Sequence, residues 1–296
     1  MKKTIIALLL LLSLACAARA ETVTIAGREY DAALEALDLS RVTISDVDAL
    51  EEALCAMPNL TWVDLSFCRL RYATLAELRD RMAARGVKVV WTVRFGDFTV
   101  RTDATAFSTL HSGGNKTMEE DDFLPLQYCT DLIALDLGHN RIFTIDFIAP
   151  LTKLRVVILS DNHITDLSPL DGKPLEYLEA FNNRVQDISW LADCETLVDL
   201  NLCLTHVSDL TPLYDLPNLR RVYISSTNNR DLSQEEIDAF LAYKGEDLEA
   251  WNFFSQYPTE YGWRETNGVL HPRYEVIKRM FSTGVYIPFS EEDPLP

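Results

Sequence analysis

Long apolar runs are scarce in this sequence, and so are glycine, cysteine and basic charge. The run Ile5 to Ala15 is too short to span a bilayer, and no later stretch reaches the roughly 20 apolar residues a membrane helix needs. The chain has 11 glycines in 296 residues, and none forms a phosphate-cradling loop; Gly113-Gly114 stands isolated. Neither G-x-S-x-G nor H-E-x-x-H occurs, so the common hydrolase and zinc-protease signatures are missing. Lys+Arg number 27 against 45 Asp+Glu, a net charge of −18. Such a charge repels nucleic acid and anionic lipid and favours basic partners.

Cysteine and histidine patterns exclude further classes. After residue 20 the cysteines are Cys55, Cys68, Cys129, Cys194 and Cys203, an odd count that argues against a disulfide framework. His111, His139, His163, His206 and His271 show no metal-ligand spacing. The acidic run Glu119 to Asp122 lacks the glycine and alternation of a calcium loop and reads as a solvated helix start. No cofactor and no metal are expected.

What is present begins with Lys2 and Lys3, an apolar stretch and the small residues ending Ala18-Arg19-Ala20, the order of a secretory signal cleaved after Ala20. An alternative reading makes Cys16, after Leu14-Ala15, the lipidated first residue of a cell-surface lipoprotein; Ser13 departs from that pattern. Either way the expectation is an extracytoplasmic protein.

The dominant signal is a repeat. Leu132-x-x-Leu135-x-Leu137-x-x-Asn140-x-Ile142 recurs as Leu154, Val157, Leu159, Asn162, Ile164, an offset of 22. It continues as Leu175, Leu178, Ala180, Asn183, Val185, as Leu197, Leu200, Leu202, Thr205, Val207, and as Leu219, Val222, Ile224, Thr227. Alternation within each copy predicts a short strand with its apolar residues turned inward. The Asn falls where the chain turns away, where its amide can bond unpaired backbone groups. One coil cannot bury its apolar side alone, so stacked coils share a core and a parallel sheet. The returns read Thr165-Asp-Leu-Ser-Pro-Leu170, Gln186-Asp-Ile-Ser-Trp-Leu191 and Ser208-Asp-Leu-Thr-Pro-Leu213, whose prolines suit short 3₁₀ turns.

These residues from about 123 to 230 resemble the internalin-type leucine-rich repeats of secreted bacterial surface proteins. The resemblance implies an α/β solenoid, a horseshoe with a parallel sheet on its concave face, helical and 3₁₀ convex segments and a C-terminal cap. It also implies protein–protein interaction in place of catalysis.

The organisation expected around that block has four parts. Residues 1–20 are the signal peptide and 21–122 hold longer, irregular coils. Residues 123–232 are the regular repeats, and 233–296 carry the last coil and the cap, in about nine or ten coils overall. Upstream coils start Leu34, Leu37, Leu39, Val42, Ile44 and Leu60, Val63, Leu65, Cys68, Leu70. Their backs read as helices, with Ser45/Asp48 and Thr74/Glu77 as capping boxes and Gly86 as a stop. Residues 87–93 read as a strand. Within 94–122, an insertion or a degenerate copy, Phe107-x-x-Leu110-x-Ser112-x-x-Asn115 is the candidate. Downstream, Ser233 and Glu236 box a helix, Leu248-x-x-Trp251-x-Phe253 repeats the strand signature, and Trp251 and Trp263 are expected to cover the last coil.

In this register the residues between the inward leucines face outward in columns. Singly, each is an ordinary solvated sheet position. Together, Trp62, Tyr177, Phe181 and Tyr223 with Asp64, Asp136, Asp161, Glu179 and Asp199 make an acidic face with aromatic anchors, joined by His139, Asn201 and Arg221. That face is the expected site for a protein or peptide partner, and the alternative is a glycan stacked on Trp62, Tyr177 and Tyr223. Cys203 alone among the cysteines is expected to face solvent. The sequence leaves the ligand and the oligomeric state open.

Overall fold

A computed structural model describes residues 21–110, 117–224, 232–251 and 262–290. The signal segment with Cys16 lies outside them, as do His111, Gly113, Ser112, Asn115, Thr227 and Phe253. The chain forms two compact units, Met1–Trp91 and Thr92–Pro296.

The first unit opens with an antiparallel hairpin, β1 (Thr22–Ile25) and β2 (Arg28–Asp31). Its two-residue loop puts Ala26 and Gly27 at φ +49° and +76°, the mirror-image turn that matches strand twist. Strand β3 (Ala36–Asp38) then pairs in parallel with β4 (Trp62–Asp64), and β4 with β5 (Lys88–Val90). Leu37, Val63 and Val89 align inward, as the repeat register requires. Helices α1 (Val47–Cys55) and α2 (Tyr72–Ala83) form the backs. Their starts differ from expectation. Asp46, in place of Ser45, caps α1 by accepting from Ala49 N–H at 3.0 Å. Thr74 lies inside α2, which begins after Arg71 without a side-chain cap. Gly86 follows α2 at φ +76°, a left-handed conformation suited to a helix stop.

The second unit repeats this opening. A hairpin of equal length, β6 (Thr92–Phe95) and β7 (Phe98–Arg101), precedes strand β8 (Ala106–Ser108) at the same spacing as β1 and β2 precede β3. Gly96 turns it at φ +50°, where a Cβ would come within 3.1 Å of the Met118 side chain. The predicted single strand over 87–93 is therefore two strands divided at Trp91. Phe95 and Phe98 each meet Phe107 edge-on with ring centroids 5.6 Å apart, which seats the hairpin on the first coil.

After β8 the sheet continues through β9 (Ala134–Asp136), β10 (Val156–Ile158), β11 (Tyr177–Glu179), β12 (Asp199–Asn201), β13 (Arg221–Tyr223) and β14 (Glu249–Trp251). All seven strands, β8 to β14, run parallel in sequence order. This is leucine-rich-repeat solenoid architecture, with three parallel strands among the described residues of the first unit and seven among those of the second. The backs begin with a single helical turn, α3 (Glu120–Phe123), boxed by Glu119 and Asp122, and continue as 3₁₀ turns such as Ser168–Leu170 and Thr211–Leu213. Near the far end they give way to α4 (Gln234–Lys244), boxed by Ser233 and Glu236.

Two registers at the ends of the regular block are corrected. Phe107 aligns with Leu135, so the degenerate coil sits three residues earlier than its apparent leucine spacing. At β14, Ala250 aligns with Val222 and Trp251 with Tyr223. A one-residue slip moves every side chain to the other face, so Trp251 points outward beside Tyr223.

The Asn residues act as a ladder. Asn162 Nδ2 donates to Leu159 O at 2.9 Å and to Leu137 O of the preceding coil at 3.0 Å, while its Oδ1 accepts from Ile142 N–H at 3.1 Å. Asn183 repeats this pattern, and Asn140 does so with Thr109 Oγ1 in place of the earlier carbonyl; Thr205 keeps the bond to its local carbonyl, Leu202 O, and Cys68 the one to the preceding coil, Leu39 O. Replacing Asn162 with Ala takes the acceptor from the buried Ile142 N–H, while Leu137 O and Leu159 O keep Asn140 and Asn183 as donors. The expected loss is about 1–3 kcal/mol of unfolding free energy in urea titrations; an unchanged midpoint would contradict the ladder's role.

Candidate functional site

The outward columns have the predicted composition. Ala134, Val156, Tyr177, Asp199 and Arg221 align across β9 to β13, and Asp136, Ile158, Glu179, Asn201 and Tyr223 align beside them. Trp62 and Asp64 belong to the three-stranded sheet of the first unit, where Trp62 is half-buried and Asp64 buried.

The face they form is filled by the chain's own end. After Gly262 the segment continues through the short pair β15 (Glu265–Thr266) and β16 (Val269–Leu270) into α5 (Pro272–Thr283). Val276, Ile277, Met280 and Phe281 of α5 join Ala106, Ala134, Val156 and Ile158 in one buried apolar cluster. Ala106 N–H donates to Gly284 O at 3.2 Å, and Tyr286 N–H to Thr105 Oγ1 at 2.9 Å, which ties the segment to the first strand of the sheet.

Asp136, Tyr177, Glu179, Phe181, Asp199, Asn201, Arg221 and Tyr223 are all buried beneath or beside it. They were expected to be exposed anchors and are interior residues. Tyr177 and Tyr223, fully buried, offer no stacking platform for a sugar. Cys203 is likewise buried, not solvent-facing, and burial pushes its thiol up to about 12, away from thiolate reactivity. The physical reason lies in the columns themselves, because Val156, Ile158, Tyr177, Phe181 and Tyr223 are too apolar to leave wet.

The charged groups buried on this face are held by ion pairs and hydrogen bonds within the chain. Asp199 accepts from Arg221 Nη1 at 2.9 Å and from Arg273 Nε at 2.6 Å. Glu179 accepts from Trp263 Nε1 at 3.0 Å, from Arg264 through a two-nitrogen fork, and from the Tyr177 hydroxyl. Asp136 accepts from Ser108 Oγ at 2.7 Å and Gly138 N–H at 3.0 Å; burial nevertheless raises its pKa. His271, ahead of α5, accepts from Arg273 N–H, and burial beside the Arg221 and Arg273 cations lowers its pKa to about 4. Groups held this way are spent on internal contacts. Trp263 packs against Tyr177 and Trp251 on this face, so the aromatic residues cover the sheet and not only the last coil.

In the second unit two predicted residues remain half-exposed, and they sit together. His139 Nδ1 lies 2.7 Å from Asp161 Oδ2, with side-chain exposures of 38% and 42%. Both occupy the slot immediately before the ladder Asn. That slot is left-handed coil after coil: Arg41, Phe67, His139, Asp161, Asn182 and Leu204 have φ between +52° and +63°. His, Asp and Asn tolerate that conformation better than Phe or Leu. The slot recurs at a constant offset from the Asn signal, so its position was readable although its conformation was not.

The fold and this geometry define the chain as a leucine-rich-repeat protein. No family model matches the chain, and no curated protein matches it. Among solved structures it is similar to internalin C2 of Listeria monocytogenes, at 25% identity over 64% of this chain and 71% of that one, with a TM-score of 0.38. It is also similar to internalin F of the same organism, at 20% identity over 79% of this chain and 65% of that one, with a TM-score of 0.41. Among the described residues no helix is long and apolar enough to cross a membrane, and no group of His, Cys, Asp or Glu could hold a metal ion.

Proposed function

We propose that this chain is a non-catalytic, extracytoplasmic binding protein that recognises a protein or peptide along the Asn-bearing edge of its seven-stranded solenoid. The observation that carries this reading is the occupation of the sheet face by residues 262–290. Solenoids present side chains at fixed repeat slots. With the sheet face filled, the regular outward slots left open are those flanking Asn140, Asn162 and Asn183, among them His139, Asp161 and the exposed Asn182. The non-catalytic part of the reading is supported by the pairing of the buried carboxylates, which leaves them no free geometry for acid–base work. Export is supported by the order of charge, apolar run and small residues in 1–20.

A photo-crosslinking amino acid placed at Asn182, with the same label at the exposed back residue Ala192 as comparison, tests the edge. The expected outcome is a discrete crosslinked protein or peptide from position 182 and none from 192 when the secreted chain meets its native surroundings. Crosslinks confined to position 192 would place recognition on the backs instead.

A further inference from the structure

One slot on this edge carries the charge opposite to that of the molecule. The residue immediately after the ladder position is Arg141, His163, Arg184 and His206 in four consecutive coils. Each backbone N–H donates to the coil before it: Arg141 to Met118 O, His163 to Ile142 O, Arg184 to Ile164 O and His206 to Val185 O, at 2.8 to 2.9 Å. The four side chains therefore stack at the coil repeat of roughly 4.8 Å. Arg141, Arg184 and His206 are exposed and His163 is half-exposed.

Among the described residues none of the four forms an ion pair with a carboxylate, in a chain with 45 Asp+Glu. The nearest acids along the sequence are engaged elsewhere. Asp166, Asp187 and Asp209 accept from the N–H groups of Ser168, Ser189 and Thr211 at 2.7 to 2.8 Å and so belong to the 3₁₀ backs. Glu120 is turned to the N–H of Phe143 at 3.2 Å. Phe143, 43% exposed, lies within this basic row, with the His163 ring at 5.1 Å and the Arg184 guanidinium at 6.0 Å from its centroid. An exposed aromatic flanked by an imidazole and a guanidinium is the composition of a recognition surface, since Arg offers a planar fork to carboxylates and the ring offers apolar contact.

We infer that the row Arg141, Phe143, His163, Arg184 and His206 binds an extended acidic peptide. The inference rests on the proposed recognition edge and names the chemistry of its partner. Spacing selects the peptide's form. Arg141 and Arg184 stand two coils apart, about 10 Å. A polyproline II chain advances about 9.3 Å in three residues, so carboxylates at every third position face alternate coils while an intervening proline meets Phe143. The net charge of −18 does not forbid this. At physiological salt the Debye length is about 8 Å, so distant carboxylates are screened while the contacting pairs are not.

The test is fluorescence anisotropy of the full chain with a labelled repeating Glu-Pro-Pro peptide and its Lys-Pro-Pro counterpart. Saturable binding of the acidic peptide alone is expected, weakening as salt rises. The pair Arg141→Glu with Arg184→Glu should lower affinity by about tenfold or more. The pair Arg28→Glu with Lys278→Glu changes net charge equally at exposed positions and should leave affinity within about twofold. Arg141→Gln with Arg184→Gln repeats the measurement without reversed charge, and urea midpoints confirm folding. Equal binding of both peptides, no binding of either, or an equal loss in the control pair would overturn the inference. A sulfated glycan that binds more tightly than the peptide and displaces it would overturn the peptide assignment. A photo-crosslinked partner without acidic segments would sink this inference while leaving the edge itself standing.

Discussion

Replacing Asp199 with alanine should cost about 3–5 kcal/mol of unfolding free energy, because it strands two cations in the interior. Arg221 and Asp199 side chains are 0% exposed and Arg273 is 5% exposed. Each guanidinium spends donors on this one carboxylate. Arg221 has further support from Trp263 O at 2.9 Å and Gly262 O at 3.3 Å, and its Cζ lies 5.3 and 4.6 Å from the ring centroids of Trp251 and Trp263. Those contacts do not replace a negative charge. Among the described residues the Arg221 Nε has no hydrogen-bond partner, and the Glu249 carboxylate stands 3.8 Å away with its pKa raised by burial. Removing all three charged groups together should cost far less than removing Asp199 alone, since a buried ion cluster roughly offsets its own desolvation. Urea denaturation of Asp199→Ala and of the triple Asp199→Leu, Arg221→Met, Arg273→Met variant checks this. A triple variant less stable than Asp199→Ala would contradict the account.

The same cluster marks the boundary of what sequence could disclose. Repeat spacing placed the inward residues of β9 to β13 and the Asn ladder correctly, because both follow from a period set by local geometry. Even the outward columns were in register. Their environment was not legible, because it depends on Arg264 and Arg273, far along the chain, meeting Glu179 and Asp199. A signal existed nonetheless. Val156 and Ile158 in outward positions call for a cover, and Val276, Ile277, Met280 and Phe281 form the apolar stripe of a helix able to supply it.

The ends of the block were misread for a different reason. Phe107 is followed two residues on by Thr109, not by a leucine, and β14 offers Trp251 where the inward slot holds Ala250. A large residue draws a pattern match toward itself, and packing decides otherwise. Both hairpins have the alternation and short turn of paired strands, yet a search for leucine spacing passes over them because they lie outside the repeat.

Trp263→Ala should release the C-terminal segment from the sheet. The side chain is fully buried, and its ring contacts Tyr177 at 5.9 Å and Trp251 at 5.5 Å between centroids. It also lies under the Arg221 guanidinium, and its Nε1 donates to Glu179. Truncating a buried tryptophan costs about 3–5 kcal/mol through lost transfer energy and the cavity left behind. Here it also removes a donor from a buried carboxylate and a face from a buried cation. The loss should appear first where residues 262–290 meet the sheet, since the coils have their own Asn ladder and inter-strand bonds. Amide exchange should therefore quicken across α5 and the outward strand residues while the hairpin Thr92–Arg101 keeps its protection. A hydrophobic dye should bind the newly opened face. Uniform loss of protection through the unit would mean that the segment and the solenoid unfold as one body. Unchanged exchange in α5 would mean that Arg264, Arg273 and the apolar stripe hold the segment without Trp263. The edge residues Arg141 and Arg184 lie outside the contacts broken, so acidic-peptide binding should survive the substitution even as the sheet face opens.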